Sequence, residues 1–138
     1  MTTDVIYEND GEGILYIHRE VLEGAWLVER MRSHNLQIDF GKLRYQIVDL
    51  SQLDRLEMTT AQLREVAEID RGIAHLKRPD FQLAIVLGSG TMYGIVRMWE
   101  TYVDMSDNPA KIFYSMEKAR EWLGQQNLEV KQVHVKVV

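Results

Sequence analysis

Strand, glycine turn, helix is the order in which a backbone cradles phosphate, and residues 83–103, LAIVLGSGTMYGIVRMWETYV, follow that order. A dinucleotide fingerprint needs glycines in a G-x-G-x-x-G pattern, the third letting helix and strand pack closely. Gly88 and Gly90 fit, but Tyr93 takes the third place and the glycine falls one later, at Gly94. An acidic residue should close the next strand to hold ribose; Phe113-Tyr114-Ser115 stands there instead. A P-loop needs Lys and Ser/Thr directly after its last glycine, where this chain has Ile95 and Val96. The stretch therefore reads as a tight strand-to-helix corner capped by Ser89 or Thr91, whose free N–H groups could hold an adventitious anion. Asp49 closes the strand YQIVDL, where ligands settle in open α/β sheets. Asp49, Gly88, Ser89 and Gly90 thus form one candidate site, with capping of the following turn as the plainer role of Asp49.

Other chemistry has less to stand on. His18, His34, His75 and His134 fall in four different elements, without the converging spacing of a metal site, and read as solvated. With no cysteine, thiol catalysis, disulfides and cysteine–metal clusters are excluded. Gly88-Ser89-Gly90 is not the G-x-S-x-G elbow of a serine hydrolase. No catalytic residue, metal ligand or cofactor is assigned. Met92, Ile95, Met98, Trp99 and Tyr102 give the 92–105 helix an apolar face, widened by Met98 and Met105. That face serves either as core or, together with the 20–34 helix, as the wall of a pocket for an apolar ligand.

The elements that must carry these residues follow from periodicity. Asp4–Asn9 and Ile14–Arg19 are β-prone runs around Asp10-Gly11-Glu12-Gly13, a hairpin signal. Glu20–His34 has helical spacing through Val21, Ala25 and Val28; Asn35–Lys42 reads as a loop; Tyr45–Leu50 is a strand. Thr59 caps the next helix, with Gln62 completing a capping box. Val66, Ile69, Ile73 and Leu76 form its buried stripe, with Asp70 beside it at a hydrated boundary. Pro79 stops that helix. Gln82–Leu87 is apolar enough for a strand covered on both faces. Asn108-Pro109 breaks the chain before a strand at Lys111–Tyr114. Ser115 then caps a last helix that Gly124 terminates. Residues 124–138 form an extra edge strand or a tail. β-Hairpin, helix and three β-α units predict a single α/β domain over 1–138, a mainly parallel sheet with covering helices.

The 138 residues carry a formal net charge of −5, with acids and bases interleaved. Nucleic-acid binding would call for a basic face, and Lys42-Leu43-Arg44 is too short to supply one. No apolar run approaches the roughly 20 residues that span a bilayer, and the first residues lack a secretion signal. The expectation is a cytoplasmic chain without integral membrane association.

Three stretches, YQIVDLSQLDRLEMTTAQL, LAIVLGSGTMYGIVRMWE and KIFYSMEKAREWL, together resemble the STAS/SpoIIAA-like family, over roughly residues 4–123. The closer likeness is to its bacterial branch with a CRAL-TRIO-like, lipid-binding type of fold. In that branch a strand ending in Asp, a Gly-x-x-Arg-Met-aromatic helix and a closing Phe…Ala…Trp-Leu recur. They match here as Asp49, Gly94-Ile95-Val96-Arg97-Met98-Trp99 and Phe113…Ala119…Trp122-Leu123. The resemblance implies a SpoIIAA-like fold and a non-enzymatic regulatory protein. Such a chain acts through a protein partner or homodimer, or alternatively carries or senses an apolar molecule such as a lipid or fatty acid. In the signalling members a kinase phosphorylates a serine in an Asp-Ser-Ser-Gly-Leu-Gly turn. Aligned without gaps, Thr59 takes that phosphoacceptor's place, while Thr60 and Gln62 stand where the glycines would be.

Overall fold

The computed structural model describes residues 2–103, 110–124 and 133–137, with backbone alone at 2, 91 and 133–137. β1 (Thr2–Glu8) and β2 (Gly13–Glu23) pair antiparallel, Val5 opposite Tyr16. Between them Asn9, Asp10 and Gly11 turn the chain with φ of 52°, 56° and 88°. Asn, Asp and Gly tolerate that left-handed region best, which is why this tripeptide reverses the chain.

β2 does not stop near Arg19. Pairing with β3 (Tyr45–Glu57) slips between Ile17 and Arg19 and again between Glu20 and Val21, where Glu20 takes φ 66°. Beyond those irregularities Val21 and Leu22 still pair, with Arg55 and Leu56. The helix expected from residue 20 therefore begins only at Gly24, as α1 (Gly24–Asn35). β3 likewise runs seven residues past Leu50, because the extended β2 supplies its partner. Leu22 is buried on that extension. A long two-stranded ribbon projects past the rest of the sheet, and helical spacing at Val21, Ala25 and Val28 concealed its first half.

α2 (Thr60–Ile73) starts at the capping box: the Thr59 hydroxyl accepts from Gln62 N–H at 3.1 Å, and the Gln62 side chain accepts from Thr59 N–H at 2.9 Å. A 3₁₀ turn, Ala74–Leu76, finishes it ahead of Pro79. β4 (Gln82–Val86), α3 (Tyr93–Val103), β5 (Ala110–Phe113) and α4 (Met116–Trp122) complete the β-α units, and β6 (Val133–Val137) follows. Ser115 caps α4 and Gly124 follows it with φ 71°. The Asn108-Pro109 break and Met105 lie outside the described residues.

The sheet order is β5-β4-β3-β2-β1-β6: parallel from β5 to β2, antiparallel across β1 and β6. The fold is thus α/β, with a mostly parallel sheet and, among the described residues, four α-helices. Strand alternation sorts the core between the two faces. Leu83 and Ile85 of β4 join Val5, Leu50, Val66 and Trp99 under α1–α3. Ala84 and Val86 turn the other way, joining Leu15, Ile47 and Ala119 under α4. At the α4 face the fully buried Glu8 accepts from Tyr45 Oη at 2.6 Å and from both Arg120 guanidinium nitrogens at 2.9 and 2.7 Å. This bidentate pair ties the last helix to the hairpin. No helix among the described residues is long and apolar enough to cross a membrane.

Candidate functional site

The glycine corner is explained by packing. A Cβ on Gly88 would stand 2.7 Å from the backbone oxygen of Ser51, so β3 passes too close for any side chain. Gly90 and Gly94 face open space and carry no such constraint. Asp49 is buried and lies mid-strand, its Oδ1 accepting from Ser51 N–H at 2.9 Å and Ser51 Oγ–H at 2.6 Å. Gly88 and Asp49 thus meet around Ser51, and the Asp49 oxygen is committed to that local bond. The Thr91 side chain lies outside the described residues. Thr59 sits exposed at the α2 N-terminus, its hydroxyl engaged in the capping box.

A concavity lies elsewhere, between the sheet and α1–α3. It is a cavity of about 360 Å³. Val48, Leu50, Leu83 and Ile85 floor it from the sheet; Trp26 and Met31 of α1, Leu63 and Val66 of α2, and Ile95 and Trp99 of α3 roof it. Native interiors hold few voids larger than a water molecule, while small-molecule sites run from roughly 300 to 1,000 Å³. Of the five pocket residues the sequence suggests, Ile95 and Trp99 line this space. Met92 and Tyr102 pack against the core beside it, Tyr102 under Arg64 at 5.3 Å. Met98 is 41% exposed, because the buried stripe of α3 runs through Val96, Trp99 and Val103 and leaves position 98 on the outer flank.

The cavity's polar groups belong to no sequence motif. Along the first half of the parallel strands, Tyr16 Oη accepts from Gln46 Nε2 at 3.0 Å and shares a 3.0 Å hydrogen bond with His34 Nε2. The His34 ring meets Tyr16 edge-on, with centroids 5.5 Å apart. Burial holds the Tyr16 hydroxyl well above its usual range and pushes His34 down, so both are neutral near pH 7. His18 is also buried, bonded through Nδ1 to Thr3 Oγ1 at 2.7 Å and pushed down to about 4 by desolvation. The expectation of solvated histidines therefore fails at His18 and His34; His75 is exposed, and the His134 side chain lies outside the described residues.

Asp70 qualifies a second expectation. It is half-buried, as a boundary residue is, but lines the cavity, its carboxyl raised to about 6 by burial against the opposing pull of Lys77 and a hydrogen bond from Trp99. Trp99 Nε1–H donates to its Oδ2 at 2.8 Å. Lys77, also lining the cavity, is lowered by burial and raised by Asp70. A signal for Asp70 was present: Leu63, Val66, Asp70 and Ile73 fall at i, i+3, i+7 and i+10, so the acid occupies a stripe position. Nothing in the sequence pairs it with Trp99, 29 residues on.

Among the described residues no group of three or more His, Cys, Asp or Glu side chains could hold a metal ion. No protein-family model matches the chain, and no curated protein matches it either.

Proposed function

We propose that this chain binds an apolar small molecule in the cavity beneath α1–α3, as a carrier or sensor rather than a catalyst. The observation that carries the reading is the cavity itself, about 360 Å³ with a mostly apolar wall. A bound apolar molecule removes this apolar wall from water. The SpoIIAA-like resemblance, with its lipid-binding branch, supports the same reading, as does the order of hairpin, helix and three β-α units. Action through a protein partner or homodimer remains the second proposal from that resemblance. Assembly through the 124–138 tail is the weaker form of it, because β6 pairs with β1 of its own chain.

Trp26 and Trp99 both line the cavity, so occupancy is readable in intrinsic fluorescence. Titration with medium-chain apolar molecules is expected to give saturable changes that Val48→Phe, which fills the space, abolishes without loss of fold. Native mass spectrometry of freshly purified protein should show a co-purifying small molecule. No adduct and no fluorescence response would refute the reading.

A further inference from the structure

We propose that the open edge of β3 at Gln52–Glu57 takes an added β-strand from another protein, an extended segment carrying Lys or Arg. The inference does not depend on what the cavity holds, and either reading can fail without the other.

The corner at Gly88 is what leaves this edge open. β4 pairs with β3 only as far as Val86 opposite Asp49. Past Gly88, which lies against Ser51, the chain turns away into α3. β3 runs on to Glu57 with β2 along one side. Among the described residues, no backbone hydrogen bond reaches Gln52–Glu57 from the other side. A row of unpaired N–H and C=O groups is a template for another chain. Two strands alone are marginal in water, and parallel pairs are normally flanked or covered, so a third strand stabilises the ribbon. Lys and Pro, which guard many natural edges, are absent from Gln52–Glu57.

Charge selects the occupant. Gln52, Asp54, Arg55 and Glu57 are exposed, as is Glu23 on the neighbouring strand. Arg55 Nε–H donates to Glu57 Oε1 at 2.6 Å. Glu23 and Asp54, which also act on Arg55, have no ion-pair partner among the described residues. The register sets Glu23 directly opposite Glu57, a like-charge pair that destabilises a sheet. Three acids thus meet one base. A second copy of the chain would bring the same excess, whereas Lys or Arg on an incoming strand relieves it. Main-chain hydrogen bonds supply the affinity of strand addition, and side chains supply its selectivity.

The test titrates the intact chain with a short peptide alternating Lys and Val, followed by calorimetry and amide hydrogen exchange. One control peptide replaces Lys by Glu; the other keeps Lys but is N-methylated at every residue, which removes its main-chain donors. The Lys/Val peptide is expected to bind about tenfold more tightly than either control, and to slow exchange at amides within Gln52–Glu57. Asp54→Lys, at an exposed position, should weaken that binding about fivefold. Equal binding of the N-methylated peptide overturns strand addition, and equal binding of the Glu/Val peptide overturns the basic partner. Protection appearing only elsewhere, or no binding of the Lys/Val peptide, overturns the proposal. So does a chain that sediments as a dimer with Gln52–Glu57 already protected, which would give the edge to a second copy.

Discussion

Replacing Asp70 by Asn should stabilise the unliganded protein, and the size of the gain should depend on pH in a way few other residues can imitate. The carboxyl titrates near 6 in the fold against an ordinary 3.8. The native state therefore keeps a proton that the unfolded chain has already lost, and stability falls as pH rises from about 4 to 6. At 1.36 kcal/mol per pH unit the deficit reaches about 3 kcal/mol once both states are ionised. Asn is neutral throughout, and its carbonyl can still accept from Trp99. The favourable field of Lys77 is already contained in that shift, so the gain is about 3 kcal/mol at pH 7 and close to none at pH 4. Wild type alone would conceal this. His18, held near 4 against an ordinary 6.5, has the opposite slope: its contribution is present above 6.5 and is lost as pH falls toward 4. The readout is thus the difference between wild-type and variant unfolding free energies, from urea titrations at several pH values. A variant no more stable than wild type at pH 7, with a difference that does not move with pH, would refute the account of Asp70 as a desolvated cavity acid.

Arg120→Leu strands the buried Glu8 carboxylate and should cost about 3–5 kcal/mol in urea unfolding; a loss under 1 kcal/mol would mean the pair does not anchor α4. Gly88→Ala drives a methyl against the Ser51 carbonyl and should lower the melting temperature by several degrees. Gly90→Ala, with open space around it, should be near neutral, so equal effects at the two positions would count against the packing explanation. Thr59→Ala removes one half of the capping box and should cost about 1 kcal/mol. Thr59→Ser, which keeps the hydroxyl, should restore most of it.

Much of the framework was legible in the residues because it depends on neighbours in the chain. The hairpin turn read at Asp10-Gly11-Glu12-Gly13, which forms one residue earlier at Asn9–Gly11, the Thr59–Gln62 capping box, the Ser115 cap and the stop before Pro79 are contests settled over three or four residues. The nearly continuous apolar run Gln82–Leu87 likewise announced a strand covered on both faces, which forms as Gln82–Val86. Local pattern misled where a distant partner decided the outcome. Val21 and Leu22 suit a helix by spacing, yet they extend β2 because β3 lies alongside to take their hydrogen bonds. The candidate site belongs wholly to that second kind. Asp70, Trp99, Tyr16, His34 and Gln46 come from five separate elements, and only the stacking of α1–α3 over the sheet brings them to one wall. Burial of a charge, and the shift in proton affinity that follows from it, is a property of the space around a residue. A linear string of amino acids does not contain that space until the helices close over it.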